Sequence, residues 1–105
     1  MKKVIIISLI ASGLAIASAQ AGDAKAAYEK DCSKCHGPDG KAETTMGKTL
    51  KIRDLGSPAV QSQSDVQLTE IVTKGKNKMP AFDGKVTKEQ ITGLVAYVRE
   101  LGKQH

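Results

Sequence analysis

Cys32-Ser33-Lys34-Cys35-His36 constrains this chain more than any other stretch. These are its only two cysteines, and a histidine directly follows the second. On a helix, positions i, i+3 and i+4 share one face, so two thiols and an imidazole would project together. The spacing C-x-x-C-H is the pattern by which a chain attaches a c-type haem. In that reading Cys32 and Cys35 form thioethers with the two vinyl groups, and His36 projects towards the iron as an axial ligand. A bare C-x-x-C also suits a thiol redox centre or half of a zinc site. No second cysteine pair exists to complete four zinc ligands, and no run of strands supplies the βαβ setting of a redox dithiol. The plain alternative is a structural disulfide followed by an unrelated histidine.

The start of the chain has the form of a secretory signal. Lys2 and Lys3 precede an apolar stretch from Val4 to Ala17, interrupted only by small residues such as Ser8, Ser12 and Gly13. Ala17-Ser18-Ala19 and Ala19-Gln20-Ala21 both fit a small-residue cleavage site. The stretch is shorter than the ~20 residues of a membrane span. The sequence therefore predicts a cleavable signal over residues 1–21 and one domain over residues 22–105, with an uncleaved N-terminal anchor as the alternative. The domain is expected outside the cytoplasm, in a periplasm or similar exported location, where c-type haem is attached.

Composition bears on partners and on the core. Sixteen basic residues against eleven acidic ones give +5, and loss of Lys2 and Lys3 with the signal leaves +3. That mild excess, with no aromatic residues interleaved in a basic run, gives no ground for nucleic acid and suits partners with acidic surfaces. One Phe, two Tyr and no Trp make a marginal core for a domain of this size. A covalently held macrocycle would supply the missing apolar bulk.

Along the chain, Asp23 is placed to cap a first helix running through about Cys35, with Ala24, Tyr28 and Cys32 along one face. Gly37-Pro38-Asp39-Gly40 is a dense turn signal. From Lys41 to Gln63 no periodicity is sustained, and this long segment is expected to wrap one edge of the haem. Within it, Leu50, Ile52 and Leu55 are placed to pack on the porphyrin, and Arg53 to reach a propionate or to sit solvated. Ser64 and Gln67 form a capping box for a helix over about residues 65–74, closed by Gly75. Pro80 stiffens the loop that presents Met79. Thr87 and Gln90 open the last helix, whose stripe is Ile91, Leu94, Val95 and Val98, and Gly102 is placed to stop it. The mature chain reads as all-α, with three principal helices and long loops.

With these pieces in place, the chain resembles the class I cytochromes c of the small soluble monohaem type. The marks are Ala24-x3-Tyr28-x3-Cys32-x2-Cys35-His36-Gly37, Gly75 with Met79-Pro80-Ala81-Phe82, and Leu94-Val95-Ala96-Tyr97-Val98. The resemblance implies the cytochrome c fold, in which the first and last helices cross beside one covalently bound haem and an aromatic residue from each, here Tyr28 and Tyr97, meets at the crossing. It also implies that the methionine before the proline, Met79, is the second axial ligand of the iron. Met46 and His105 are its rivals, the first close behind the His36 turn and the second at a chain end that usually frays. Two departures stand out. Ala24 replaces a glycine common in the family, which predicts a slightly wider crossing. No proline stands a dozen residues after His36, where many members buttress the histidine ring with a carbonyl, so the acceptor of the His36 ring N–H is open.

The function implied is that of a single-electron carrier and not an enzyme. His/Met ligation fills both axial positions and favours a raised reduction potential. Such a carrier shuttles electrons between membrane-bound donor and acceptor complexes of a respiratory chain, as a monomer with no stable membrane insertion. Lys34, Lys74, Lys76 and Lys78 would form a basic docking rim near the haem edge, or simply a solvated charge run. The alternatives are a peroxidase-like haem enzyme or ligand sensor, which needs a displaceable sixth position, and an electron-transfer subunit docked permanently in a larger oxidoreductase.

Overall fold

The computed structural model describes residues 22–104; the expected signal over residues 1–21 and the terminal His105 lie outside the described residues. The described residues form six helices in order. The described part of α1 covers residues 22–31. The others are α2 Ser33–His36, α3 Thr45–Thr49, α4 Pro58–Gln61, α5 Asp65–Lys74 and α6 Lys88–Gly102. Among the described residues there is no strand, only isolated bridges pairing Lys76 with Met79 and Asp83 with Val86. The architecture is all-α.

The first helix departs from its expected bounds. Gly22 is already helical, so Asp23 lies inside α1 rather than capping it. Nor does α1 run on to Cys35. It ends before Cys32, whose backbone (φ −119°, ψ −32°) instead caps the separate turn α2. The Cys32 N–H still donates to Tyr28 O at 2.8 Å, which keeps the two helices in one path.

The segment expected to be structureless holds two short helices. Thr44 caps α3: its Oγ1 accepts from Gly47 N–H at 2.9 Å and donates to Cys35 O at 3.0 Å. A Cβ on Gly47 would stand 2.5 Å from Ala42 O and 2.6 Å from Cys35 O, so only glycine lets α3 lie this close to α2. Pro58 opens α4 at a position where a missing N–H costs nothing. These helices were hidden from periodicity because each is only one turn or so long.

The two longer helices start as their capping boxes predict. Ser64 and Gln67 exchange side-chain-to-backbone bonds at the head of α5, and Thr87 and Gln90 do so for α6. Gly75 closes α5 at φ +77°. Gly102, by contrast, is the last residue within α6 and does not stop it. Its role is closeness, since a Cβ there would stand 2.7 Å from the Gln61 side chain. That amide donates to Leu55 O and Val98 O at 2.8 and 3.1 Å and fastens α4 to α6. Arg99 strengthens the same seam by donating to Gln61 O and to Asp65 Oδ1, each at 3.0 Å.

The core sits where α1 crosses α6. Tyr28, Leu94 and Leu101 are its buried centre, with Ala27, Cys32, Leu55, Val72 and Tyr97 packed around them. A second cluster of Val60, Leu68 and Val95 joins α4, α5 and α6. The Tyr28 and Tyr97 rings meet at the crossing, 5.0 Å between centroids and tilted by 47°. A Cβ on Gly93 would come within 3.3 Å of the Ala24 Cβ. The glycine of the close approach thus stands on α6 opposite Ala24, and the bulk absent at Gly93 compensates for the methyl at Ala24. The Tyr28 hydroxyl donates to Gly37 O at 2.6 Å from a fully buried position.

Truncating Tyr28 to Ala should cost ~3–5 kcal/mol, as for other buried aromatics. Tyr28→Phe should cost about 0.5–1.5 kcal/mol by removing one hydrogen bond, since the Gly37 carbonyl keeps the Gly40 N–H at 3.1 Å. Denaturant unfolding of the purified variants checks both, and a Tyr28→Phe variant as stable as the parent would show that the hydroxyl bond contributes nothing.

Candidate functional site

The walls of one large pocket come from every part of the chain. α1 and α2 contribute Tyr28, Cys32, Cys35 and His36, the α3–α4 segment Leu50, Ile52, Arg53 and Leu55, and α5 Leu68, Ile71 and Val72. The loop after α5 adds Met79, Pro80 and Phe82, and α6 adds Leu94, Val95 and Val98. Its volume of about 450 Å³ lies within the range of small-molecule and cofactor sites. The lining is mainly apolar, with the sulfur and imidazole groups converging on it.

Cys32 and Cys35 both carry free thiols. Burial, aided by the neighbouring Asp31 carboxylate and then by Cys35, pushes the Cys32 thiol up to about 11. It is therefore held protonated at neutral pH, unlike a redox-active thiol, which is held as thiolate. Burial also keeps the His36 imidazole below the ordinary histidine range, hence neutral and able to offer a lone pair. Its Nδ1 is buried and has no hydrogen-bond partner among the described residues. The acceptor that sequence left open is therefore not supplied by a protein group here. His36 is held instead through its backbone: its N–H donates to Cys32 O at 2.9 Å and its carbonyl accepts from Ala42 N–H at 2.8 Å.

Met79 is presented by a closed turn. Its N–H donates to Lys76 O at 2.9 Å, and its carbonyl accepts from Lys76 N–H at 3.1 Å. Asn77 takes the left-handed conformation between them (φ +55°), which asparagine tolerates better than most residues. A Cβ on Gly75 would stand 2.6 Å from Met79 O, so the loop folds back on the end of α5 only with glycine there. Phe82 N–H donates to Val72 O at 3.0 Å and pins the far end of the loop to α5. Met46, the rival methionine, sits in α3, is 40% exposed and does not line the pocket; His105 lies outside the described residues.

The charged rim differs from the expected one. Lys76 and Lys78 line the pocket, but Lys34 and Lys74 do not, and Lys74 pairs with Glu70 at 3.1 Å. Lys51 takes their place beside Arg53. Sequence reasoning missed Lys51 because its position depends on the unforeseen helix α3, after which it turns at φ +56°.

The donor set fits a c-type haem: two unpaired thiols at one wall, a neutral buried imidazole beside them, a thioether brought in by a separate loop, and apolar walls between. Comparison with known proteins agrees. Residues 19–98 match the family described as cytochrome C oxidase, cbb3-type, subunit III. Cytochrome c6 of Nostoc sp. is 41% identical over 76 residues, which are 72% of this chain and 64% of that protein. Cytochrome c6 of Anabaena variabilis is 40% identical over 76 residues, covering 72% of this chain and 83% of the relative. That of Gloeothece citriformis is 35% identical over 107 residues, covering 95% and 94%. Among solved structures, the KustC0563 c-type cytochrome superposes with a TM-score of 0.70 at 32% identity, over 75% of this chain and 96% of that one. The chain belongs to the small class I c-type cytochromes, electron-transfer proteins with covalently bound haem c.

Proposed function

We propose that this protein is a soluble one-electron shuttle outside the cytoplasm, with haem c attached through Cys32 and Cys35 and the iron held between His36 and Met79. The observation that carries the reading is the convergence of these four side chains on one apolar pocket from two separate parts of the chain. When bound, the haem supplies a reversible Fe(III)/Fe(II) couple. The chain's own groups do the rest. Cys32 and Cys35 would tether the ring at the end of α1 and at α2. The Lys76–Met79 turn holds the second ligand on a short, closed path, so the thioether is not free to swing away. Leu68, Ile71, Val72 and Phe82 exclude water, which disfavours the more highly charged ferric state and raises the potential. With His36 and Met79 both holding the iron, the chain would leave no site for a substrate.

Partners with acidic docking surfaces follow from the rim. Lys51, Arg53, Lys76 and Lys78 line the pocket against one carboxylate, Asp31. They would steer a membrane-bound donor or acceptor towards the haem edge. The leader-like start of the sequence supports export, and no helix among the described residues is long and apolar enough to cross a membrane.

Protein made in a host that attaches c-type haem should gain the mass of one haem, and that haem should survive acid extraction. Mature protein with two free thiols or a disulfide would end the cytochrome assignment of Cys32 and Cys35. The ferric spectrum should show the weak far-red band of iron–sulfur charge transfer. Met79→Ala should abolish that band, lower the potential and let carbon monoxide bind the ferrous protein, whereas Met46→Ala should leave all three unchanged. Electron transfer to an acidic partner should slow as salt rises, because the Debye length shrinks to ~10 Å at 0.1 M. A salt-independent second-order rate would refute the basic docking rim.

A further inference from the structure

A second concavity lies on the other side of the α1–α6 layer, and the shuttle described above makes no use of it. Its floor is small and apolar, with Ala24 from α1 and Gly93 from α6, and the Tyr97 ring forms part of its wall. Asp23, Glu89 and Glu100 stand along it, all exposed, and no basic residue is among the described residues that line it. The α6 residues facing the haem pocket are Leu94, Val95 and Val98, so the two concavities use opposed faces of one helix. Charge segregates in the same way. The haem pocket has two lysines from the Met79 turn plus Lys51 and Arg53 at its walls against Asp31, while the described lining of the groove carries three carboxylates and no basic residue, Glu100 being paired at its edge with Lys103 at 3.7 Å.

One feature joins the two. Tyr28 lines the haem pocket, Tyr97 lines the groove, and their rings are in contact with centroids 5.0 Å apart. Electron tunnelling falls off less steeply through packed, bonded matter than through solvent. The ring pair therefore forms a packed connection from the groove to the wall of the haem pocket.

We infer that this groove is a second docking surface, shaped for a basic patch on a one-electron redox protein, and that the Tyr28–Tyr97 contact is the bridge by which that partner's electron reaches the haem. The inference rests on the haem reading of the main pocket. In the step, one electron leaves the partner's reduced centre and converts ferric iron to ferrous; no bond forms or breaks, and no proton moves. Both phenols keep their protons throughout. Burial raises the Tyr28 phenol far above the ordinary tyrosine range, and its proton is committed to Gly37 O, so the ring serves as medium and not as a radical carrier. A carrier built this way receives from a basic donor at one face and delivers to an acidic acceptor at the other, without releasing the first to meet the second.

The test uses the haem-loaded protein and two inorganic reagents of opposite charge at low salt. Hexaammineruthenium(II) is the cationic reductant and ferricyanide the anionic oxidant, each mixed with protein in a stopped-flow instrument. The pair Glu89→Gln/Glu100→Gln should slow the cationic reductant about tenfold and leave ferricyanide oxidation within about twofold of the parent, as expected for two charges close to a divalent reagent. Lys76→Gln/Lys78→Gln should do the reverse. Glu43→Gln/Glu70→Gln, a pair exposed outside both concavities, controls for net charge and should move neither rate by more than about twofold. Tyr97→Leu, which removes the ring contact, should slow the cationic reductant alone, and Tyr97→Phe should not. The proposal is overturned if the control pair slows the reductant as much as the groove pair does, or if haem-loaded Tyr97→Leu accepts electrons at the parental rate. A parent protein without haem would end the carrier reading itself, whereas a haem protein that fails only these comparisons loses the second surface alone.

Discussion

The Tyr28 side chain is the point on which the architecture turns. Its ring is the buried centre of the α1–α6 crossing, and its hydroxyl holds the carbonyl of Gly37, the residue next to His36. The same carbonyl accepts from Gly40 N–H at 3.1 Å, so the hydroxyl makes the shorter of two bonds that hold the turn behind the C-x-x-C-H motif. Its mechanical effect matters as much. The α1–α6 packing, whose centre includes the pocket-lining Tyr28 and Leu94, and the position of the proposed proximal ligand become one rigid unit. A shift of α6 against α1 could not occur without moving Tyr28, and with it the end of α2.

How far the fold was legible depended on the length of the signal in each segment. Helix α6 was read from its capping box and stripe, because fifteen residues carry several turns of periodicity. Helix α5 was read the same way at ten residues. The five-residue α3 and four-residue α4 could not be, since one turn gives a periodic pattern nothing to repeat. Their signals were local and chemical instead: Thr44 three residues before Gly47, and Pro58 at a helix start. Tyr28 and Tyr97 were paired from resemblance, and the contact is there. Gly102 was misread because glycine near a helix end has two meanings, a left-handed stop or a close approach, and only the tertiary position of Gln61 decides between them. At the site itself, the four candidate donors were nameable from spacing and resemblance because chemistry restricts which residues can serve. The rim was not, because a lysine's place on a surface is fixed by the backbone beneath it. Lys51 lines the pocket and Lys74 does not for that reason.

The pocket also explains how so few aromatics suffice. Ten buried apolar residues, only three of them aromatic or β-branched beyond valine (Tyr28, Phe82 and Ile91), form the described core. Many of the remaining large apolar side chains, among them Leu55, Ile71, Val72 and Val98, face the pocket. The chain buries them only in part, and a bound haem would cover the remainder. The cofactor would then be a folding partner as well as a redox centre, held by Cys32 and Cys35 against the apolar walls.

The loops that close over it carry the strain. The described residues with positive φ other than glycine are Ala42, Lys51 and Asn77. A left-handed backbone costs an ordinary residue ~1–2 kcal/mol, so these conformations persist only where the surroundings enforce them. In each case a hydrogen bond next to the site does so. Ala42 N–H donates to His36 O, Ile52 N–H just after Lys51 donates to Gly47 O, and Lys76 and Met79 bond each other across Asn77. Asparagine suits its position, but alanine and lysine do not suit theirs. The chain thus accepts an unfavourable backbone at Ala42, directly behind the proposed histidine ligand, and at Lys51, in the pocket wall. Glycine at either would be locally easier but would free the backbone in the unfolded chain and loosen the turn in the folded one. What is gained is a wall that holds the His36 backbone in one position, which would suit a carrier whose geometry must change little between oxidation states.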